Sequence, residues 1–476
     1  MNVIIYVLDA LRADHLSCYG YTRETTPNID ALAAEGFRYE NCFSPATWTK
    51  PVSASILTGA YPPVHGMRTR EDTFDADITR LSELLSDVGF DTGGFSTMGN
   101  VSKSIGYGRG FDQYLDLYKD EKIVKKRATK SAETEELDHE TTDEIALPRA
   151  EDLTEQLVDW IDCRENDFFA FCWSIEPHIP YDPPKQYRMF VDSEYDGSVD
   201  GQRDTLPEVK SEADLNHLKA LYDGEIRYND DEIGRIVSYL KDIGEYKDTL
   251  IVITGDHGDA FNEHGRLTHG HLPYDELAHV PLVVKPPQSM DATTTSYTET
   301  CSLIDIFPTV AKSVEVASLP ATVQGRPLPP VGPTGSSVPV FSETISRDIY
   351  PAFYSVRTEK WKYMTVDQPD RTLGTLLDTV QILYKRNIIT DILSNPWYYF
   401  KRYQHSEDEY LYDLQSDPGE TKNLVDSQPE QVSELNEHLQ AWLKDSERIH
   451  RELKTTGSGS IDSATDEQLR LLGYID

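Results

Sequence analysis

The sequence predicts an α/β fold in which helices sandwich a large, mostly parallel β-sheet and a smaller α+β subdomain follows. Three observations predict this class: short β-branched runs alternate with amphipathic segments, the runs are apolar throughout, and the pattern changes after Gly325. Strands buried on both faces of a parallel sheet form continuous apolar runs, and their alternation with helices is typical of such sheets. With 476 residues, 38% of them apolar, the chain is long enough to bury such a core.

Each predicted element rests on its own pattern. A continuous run of β-branched and aromatic residues predicts a strand, whereas apolar residues repeated every three or four positions predict a helix. The strands of the large sheet are predicted, in chain order, at 3–8, 91–95, 168–173, 249–254 and 281–284. The helices are predicted at 29–36, 51–58, 78–88, 153–163 and 230–240.

Two polar stretches interrupt this alternation. Residues 118–144 are dense in Lys, Glu, Asp and Thr, which predicts a surface insertion that is partly disordered. The polar composition of residues 192–212 predicts a loop over the functional site. After Gly325 the pattern predicts shorter elements: strands near 338–341, 353–356, 361–366 and 411–414, then a helix at 430–443. We therefore predict an N-terminal domain at 1–325 and a C-terminal α+β subdomain at 326–476.

The charge of the chain is strongly negative. Eighty-two acidic and 45 basic side chains leave a formal net charge of −37, spread along the whole sequence. Such a field repels phosphate backbones, so no nucleic-acid partner is predicted. It is typical of the acidic proteome of a halophilic cytoplasm, where salt screens the self-repulsion.

The apolar runs, the first residues and the cysteine pattern predict where the protein is located. No run approaches the roughly 20 apolar residues that a membrane span needs, which predicts no stable membrane insertion. The first residues do not resemble a secretory signal, so a cytoplasmic protein is predicted. Five cysteines without metal-type spacing predict neither a disulfide framework nor a zinc knuckle.

Polar side chains follow three of the predicted strands at the point where each ends. Asp9 follows the first strand, Asp256 and His257 follow the strand at 249–254, and His178 follows the strand at 168–173. The carboxyl ends of parallel strands lie at one edge of a sheet, where ligands bind. Two carboxylates and an imidazole in one crevice repel each other or lose solvation unless a divalent cation binds between them. The pattern therefore predicts a metal site.

A small hydroxyl residue precedes a further helix. Thr49 lies two residues before Pro51, at the entry to the helix at 51–58, which is rich in small residues. A side-chain oxygen and the helix N-terminus could therefore meet at one point, and helix N-termini bind anions. The alternative is that Thr49 only caps this helix.

Several motifs carry a resemblance to a known family, and they run in that family's order over about 420 residues. They are Asp9 with Arg12-Ala13-Asp14-His15, Thr26-Pro27-Asn28, Ser53-Ala54-Ser55-Ile56-Leu57-Thr58-Gly59, Glu176-Pro177-His178, Gly255-Asp256-His257-Gly258, Glu263-His264-Gly265 and Leu411-Tyr412-Asp413-Leu414. On these motifs the chain resembles the sulfatase family of the alkaline phosphatase superfamily. The resemblance implies an α/β sandwich, a catalytic domain at 1–325, and cleavage or transfer of a sulfate or phosphate ester at a metal.

The chain departs from the sulfatase pattern at three positions. Thr49 stands where sulfatases have the Cys or Ser that matures to formylglycine, so no formylglycine is expected. Ser53 replaces the Arg that steadies the aldehyde hydrate, and Ala10 replaces a second Asp. Threonine is the nucleophile of related phosphoglycerol and phosphoethanolamine transferases and nucleotide pyrophosphatases. We therefore expect a branch with Thr in place of Cys or Ser.

The resemblance assigns a role to each candidate residue. One divalent ion (Mn²⁺, Ca²⁺ or Mg²⁺, with Zn²⁺ possible) would be held by Asp9, Thr49, Asp256 and His257. Thr49 would attack the ester and form a covalent intermediate, assisted by His178, His269 and His271. The expected substrate-binding residues are Arg12, Lys50, Asn100 and His264, with a surface position as the alternative for Lys50. A second ion, held in part by Glu176 and His178, remains open.

Three functions follow as alternatives. The first is a sulfatase-family hydrolase of a sulfate or phosphate ester, which the motif order favours. The second is a transferase that moves a phospho-alcohol or sulfo group onto a glycan or a lipid head group. The third is a non-catalytic binding protein that retains the fold. The expected partner is a small-molecule, glycan or lipid-head-group ester, and the sequence predicts no oligomeric state.

Overall fold

The structure, a computed structural model, describes residues 1–134, 147–290, 296–335, 337–345, 351–367, 407–453 and 461–472. Its strands are β1 Asn2–Leu8, β2 Phe37–Tyr39, β3 Cys42–Phe43, β4 Asp91–Ser96, β5 Gln113–Asp116, β6 Phe168–Ser174, β7 Thr249–Gly255, β8 Ala260–Phe261, β9 Leu267–Thr268, β10 His279–Val280, β11 Leu282–Lys285, β12 Ser296–Tyr297, β13 Cys301–Ser302, β14 Val340–Thr344, β15 Ala352–Arg357, β16 Trp361–Asp367 and β17 Glu409–Asp413. Its helices are α1 Pro27–Glu35, α2 Thr49–Thr58, α3 Pro62–His65, α4 Leu81–Asp87, α5 Glu121–Thr134, α6 Ala150–Ile161, α7 Glu212–Asp242, α8 Asp275–Ala278, α9 Ile306–Ser313, α10 Pro429–Glu452 and α11 Ser463–Leu471.

The large sheet has eight strands in the order β12-β2-β11-β7-β1-β6-β4-β5. β1 lies near its centre and pairs in parallel with β6 and β7, while β4 pairs in parallel with β5 and β6. β11 is antiparallel to its neighbours β2 and β7. Every residue of β1, β6 and β7 is buried, as their continuous apolar runs predict. The predicted mostly parallel sheet is confirmed.

Helices cover both faces of this sheet. Alternate side chains of β1 enter two different cores, Val3, Ile5 and Val7 on one face and Ile4, Tyr6 and Leu8 on the other. The first core is completed by residues of α2, α4 and α9, and the second by residues of α1, α6 and α7. Because strand side chains alternate between faces, one strand supplies both layers of the sandwich. None of the helices in the described ranges combines the length and apolar composition that a bilayer span requires.

A second sheet, with strands β14-β15-β16-β17, is antiparallel throughout. α10 packs on it through Leu435, Leu439 and Trp442. This confirms the smaller α+β region, whereas the boundary between residues 325 and 326 remains a prediction. Lys362 of β16 joins the two parts: its Nζ lies 2.8 Å from Asp275 Oδ1 and 2.8 Å from Glu420 Oε1.

The structure lengthens one predicted helix and describes part of the predicted insertion. The predicted helix at 230–240 is only the end of α7, which has 31 residues and begins after a capping box formed by Ser211 and Asp214. Part of the predicted insertion at 118–144 forms α5, and Arg127 Nε bonds Asp152 Oδ2 of α6 at 2.5 Å. Ion pairs therefore hold the described part of this segment on α6, and the partial disorder of the insertion stays a prediction. Residues 135–146 lie outside the described ranges.

Replacing Lys362 with methionine tests the junction between the sheets. Lys362 is 1% exposed and Glu420 is 2% exposed, so the variant leaves the buried Glu420 carboxylate without this cation, whereas Asp275 keeps its ion pair with Arg357. We expect it to lower the free energy of unfolding by about 3–5 kcal/mol, the usual loss when one partner of a buried ion pair is removed. Urea unfolding followed by tryptophan fluorescence measures this. The control is Lys360→Met, since the Lys360 side chain is 47% exposed. Equal stability of the two variants would contradict the assignment.

Candidate active site and metal centre

Three predicted ligands converge at the carboxyl edge of the large sheet. Asp9 directly follows β1, and Asp256 and His257 directly follow β7, the parallel neighbour in which Gly255 pairs with Leu8. All three side chains are fully buried, and their ligand atoms lie within 4.8 Å of one another. The register of two adjacent parallel strands therefore brings these residues together across 247 positions of sequence. We refer to Asp9, Asp256 and His257 as the carboxylate–imidazole cluster.

Thr49 is the first residue of α2, and its hydroxyl faces this cluster. Thr49 Oγ1 lies 3.2 Å from Asp9 Oδ2 and 3.5 Å from His257 Nε2. The N-cap position of α2 belongs to Trp48, whose side chain makes no capping hydrogen bond. Thr49 therefore does not cap the helix. The positive end of the α2 dipole lies beside the same oxygen, which favours an anion there.

Neighbouring groups fix each ligand in place. Trp173 Nε1 donates to Asp9 Oδ2 at 3.2 Å. The backbone N–H groups of Ala10 and His257 donate to Asp256 Oδ1 at 2.8 and 2.7 Å, and Ala10 adopts a φ of 61°. His257 Nδ1 donates to the carbonyl of Gly258 at 3.0 Å. Because a carbonyl only accepts, the proton is on Nδ1 and the lone pair of Nε2 faces the carboxylates.

The cluster fits a divalent cation. Asp256 Oδ2 is buried and accepts no hydrogen bond from the described part of the chain. Within the described ranges, neither carboxylate forms an ion pair with lysine or arginine, and the titratable partner of both is His257, at 3.7 Å from Asp9 Oδ1 and 3.3 Å from Asp256 Oδ2. Burial raises the pKa of Asp256 to about 8, and burial beside Asp256 raises the pKa of Asp9 well above its usual value. Buried carboxylates with a spare oxygen and an imidazole lone pair are the donors that divalent metals bind.

His178 and His269 lie next to the cluster, as predicted for residues that act on the ester. The ring of His269 is 4.4 Å from that of His257 and 5.0 Å from that of His178, measured between centroids. His178 Nδ1 donates to the carbonyl of Ile179 at 2.6 Å. Burial, with His269 and Arg203 nearby, lowers the pKa of His178 well below its usual range. His178 is therefore a neutral imidazole.

Asn100 and Lys50 are both buried. Asn100 lies in a turn after β4, and its Nδ2 has no hydrogen-bond partner among the residues that the structure describes. Lys50 is 1% exposed, and its Nζ donates to the carbonyls of Arg70 and Asp72. Burial lowers the pKa of Lys50 to about 8. The alternative of a surface position for Lys50 is wrong, because the loop after α3 folds over its side chain.

Arg12 and His264 both form contacts with other residues of this chain. The Arg12 guanidinium binds the carboxylates of Asp14 and Glu263 at 2.7 and 2.6 Å. His264 stacks on Tyr274 and bonds Glu276 and the carbonyl of Glu420 through its two ring nitrogens. These contacts engage the polar atoms of both residues within the fold, and their predicted role in substrate binding stays a prediction.

His271 and Glu176 also form structural contacts. His271 Nε2 donates to the carbonyl of Thr268 at 3.1 Å. Glu176 Oε1 accepts from Arg149 Nε at 3.0 Å, and Glu176 Oε2 accepts from the backbone N–H of Ala150 at 3.1 Å. The Glu176 carboxylate is therefore held by a guanidinium and a helix N-terminus, which does not favour a second metal ion there.

Sequence reasoning missed four residues of the site. They are Trp173, which donates to Asp9; Asp259 and Tyr181, whose side chains bond each other at 2.6 Å; and Arg203, which acts electrostatically on His178. Asp259 could have been found, since it directly follows the Asp-His-Gly motif. Arg203 lies in the stretch 192–212 that was predicted to cover the site, but no pattern distinguishes it there.

The fold and the site define an ester hydrolase of the sulfatase type, with a hydroxyl beside a buried carboxylate–imidazole cluster. Residues 1–316 match the family model described as Sulfatase, and the chain belongs to the sulfatase family. An arylsulfatase of Clostridium perfringens is 24% identical over 374 residues, which cover 69% of this chain and 77% of the relative. An N-acetylglucosamine-6-O-sulfatase of Bacteroides thetaiotaomicron is 22% identical, with 95% and 88% covered.

Solved structures share the fold over nearly the whole chain. A phosphonate monoester hydrolase of Agrobacterium radiobacter superimposes with a TM-score of 0.70 at 20% identity, covering 94% of this chain and 96% of the other. A structure in complex with its substrate D-glucosamine-2-N,6-O-disulfate has a TM-score of 0.67 at 18% identity, with 95% and 98% covered. These likenesses confirm the predicted α/β fold and its smaller C-terminal region.

Removing and restoring a divalent cation tests the cluster. Because the pKa of Asp256 is about 8 in the ion-free fold and about 4 in an unfolded chain, the fold holds a proton that the unfolded chain releases. The stability from this proton is present at low pH and is lost as the pH rises through about 8. We expect the Tm of EDTA-treated protein to fall between about pH 5 and pH 8, and Mn²⁺ or Ca²⁺ to raise it most at the higher pH.

Two variants complete this test. Asp256→Asn should remove the cation-dependent rise in Tm, whereas Glu263→Gln, in the same segment, should retain it. A wild-type protein whose Tm does not respond to Mn²⁺, Ca²⁺, Mg²⁺ or Zn²⁺ would contradict a metal site here.

Proposed function

We propose that this protein is a metal-dependent hydrolase of sulfate or phosphate-type esters, with Thr49 as its covalent nucleophile. The observation that carries the proposal is the position of Thr49 Oγ1, 3.2 Å from Asp9 Oδ2 and 3.5 Å from His257 Nε2 at a helix N-terminus. A hydroxyl that serves only the fold has no reason to face buried, uncompensated carboxylates. This placement is what an in-line attack on an anionic ester requires.

The proposed metal ligands are Asp9, Thr49, Asp256 and His257. Oxygen donors suit Mn²⁺, Ca²⁺ or Mg²⁺, and the imidazole also allows Zn²⁺. Such an ion would supply positive charge to the ester and favour loss of the hydroxyl proton. No step requires formylglycine, because Thr49 already carries the attacking oxygen.

The first step follows from the contacts of Thr49. Its hydroxyl donates to Asp9 Oδ2, which makes Asp9 the group placed to accept that proton. As Oγ1 bonds to sulfur or phosphorus, the bond to the ester oxygen breaks and that oxygen keeps the electron pair. The N-terminus of α2 and the neutral imidazole of His178 lie beside the group being transferred. Asn100, with its buried and unpartnered Nδ2, is the proposed donor to a further substrate oxygen.

We infer the substrate class from this site together with the activities named for the relatives. One relative is an N-acetylglucosamine-6-O-sulfatase, and one structural neighbour is bound to a sulfated glucosamine. Another neighbour is a phosphonate monoester hydrolase. A sulfated sugar and a phosphonate monoester are therefore the first substrates to examine, together with a phosphate diester. Product analysis with added glycerol or sugar separates hydrolysis from transfer, since a transferase would yield the acceptor's ester.

Replacing Thr49 tests the nucleophile. We expect Thr49→Ala to lower turnover of a p-nitrophenyl sulfate, phosphonate monoester or phosphate diester by about 10³-fold or more, as loss of a nucleophile does elsewhere. Thr49→Ser keeps the oxygen and should retain turnover. The matched control is Thr58→Ala in the same helix, where the hydroxyl only bonds the carbonyl of Ala54. Full activity of Thr49→Ala in molar KCl with Mn²⁺ or Ca²⁺ would refute the covalent role.

A further inference from the structure

A short hairpin brings Asp259 and His269 face to face. β8 and β9 are antiparallel, with Ala260 paired with Thr268, so the next positions outward are Asp259 and His269. Their side chains meet, since His269 Nδ1 lies 2.6 Å from Asp259 Oδ1. The two residues are ten apart in sequence, and the hairpin register alone explains their contact.

This carboxylate and imidazole are firmly held. Asp259 is fully buried, and its Oδ2 accepts a 2.6 Å hydrogen bond from the hydroxyl of Tyr181, which is 1% exposed. The backbone is left-handed on both sides of His269, with φ values of 64° at Thr268 and 81° at Gly270. A β-branched residue at positive φ is strained, and such strain is concentrated at functional sites.

The His269 ring packs against the ring of His257, at 4.4 Å between centroids, and His257 Nε2 is 3.5 Å from Thr49 Oγ1. We propose that His269 is the general base that activates water against the Thr49 ester, and that Asp259 and Tyr181 are positioning residues for it. The inference rests on the proposed covalent role of Thr49 and assigns the second half of that reaction.

The tautomer of His269 explains this role. His269 Nδ1 donates to Asp259 Oδ1, so the lone pair of a neutral His269 ring is on Nε2, at the opposite side of the ring. A carboxylate in this position also stabilises the imidazolium that forms when Nε2 takes a proton. Tyr181 fixes the carboxylate, and the hairpin fixes its distance from the ring.

A threonine ester needs such a base. Its Cβ bears only one oxygen, so the group cannot leave by forming a carbonyl and must be displaced by water. The water oxygen bonds to sulfur or phosphorus, the bond to Oγ1 breaks with its electron pair on Oγ1, and the water proton passes to His269 Nε2. Thr49 Oγ1 regains the proton held by Asp9, and the imidazolium releases its proton to solvent. One turnover thus yields the alcohol of the ester in the first step and the sulfuric or phosphorus acid in the second.

The two half-reactions can be separated with a p-nitrophenyl ester that the wild type cleaves, chosen from the sulfate, the phosphonate monoester and the phosphate diester. Stopped-flow absorbance reports the first release of nitrophenol, and the linear phase reports breakdown of the adduct. Intact-protein mass measures the fraction of chain carrying the sulfo or phospho group. The variants are Asp259→Asn, Tyr181→Phe and, as the isosteric control, Asp14→Asn, whose carboxylate pairs with Arg12.

We expect Asp259→Asn to keep a burst of about one nitrophenol per chain while its linear phase falls about 10²–10⁴-fold, because His269 then loses the carboxylate that sets its tautomer and orientation. The adduct should then accumulate on Thr49. Tyr181→Phe should show the same split to a smaller degree, and Asp14→Asn should match the wild type. A burst rate that falls as much as the linear phase, or an unchanged linear phase, would overturn the assignment.

The outcomes also separate this inference from the covalent role itself. If Thr49→Ala retains turnover, or no adduct forms in any variant that turns over, the proposed nucleophile is wrong. If Asp259→Asn has a wild-type Tm and adducts form at Thr49 but do not accumulate, only the role of His269 is wrong. If Asp259→Asn fails to fold, Tyr181→Phe decides, since it removes one hydroxyl.

Discussion

Two buried carboxylates, which no lysine or arginine of the described ranges compensates, are the constraint on which the rest of this site depends. Burial of a charge is costly unless a partner compensates it, and the pKa values of Asp9 and Asp256 are raised accordingly. Within the described ranges, the groups that donate to these oxygens are the indole N–H of Trp173, the hydroxyl of Thr49 and two backbone N–H groups. These donors orient the oxygens without neutralising them, so the protein maintains a site that a divalent ion would complete.

The large sheet holds the two buried carboxylates together although their burial is energetically unfavourable. β1 and β7 are buried along their whole length and are registered residue by residue, so their ends cannot separate without disrupting both cores. The side chains that follow them therefore stay close despite mutual repulsion. Strand pairing acts in the same way in the hairpin of β8 and β9, because its register places Asp259 beside His269. Pairing of strands, rather than attraction between polar groups, assembles the site.

The difference between strand pairing and polar contacts also explains which parts of the site could be predicted from the sequence. The strands β1, β6 and β7 are continuous apolar runs, so their ends, and with them Asp9, His178 and Asp256, could be located from the sequence alone. Contacts between distant segments could not: Glu263 and Glu420 engage Arg12 and His264, and no local pattern encodes them. The burial of Lys50 has no local signal for a related reason, since carbonyls 20 and 22 residues away accept from its ammonium group.

Burial of the site also reconciles an anionic substrate with a chain of net charge −37. The field of the surface acts over a Debye length, about 10 Å at 0.1 M salt and about 3 Å at 1 M, and therefore weakens as salt increases. Contacts such as those of Thr49 with Asp9 and His257 span less than 4 Å and are shielded from solvent. Salt thus alters how often an anionic ester reaches the site, whereas the chemistry depends on the local donors. A strongly acidic surface and a centre for anionic esters can therefore coexist in one fold.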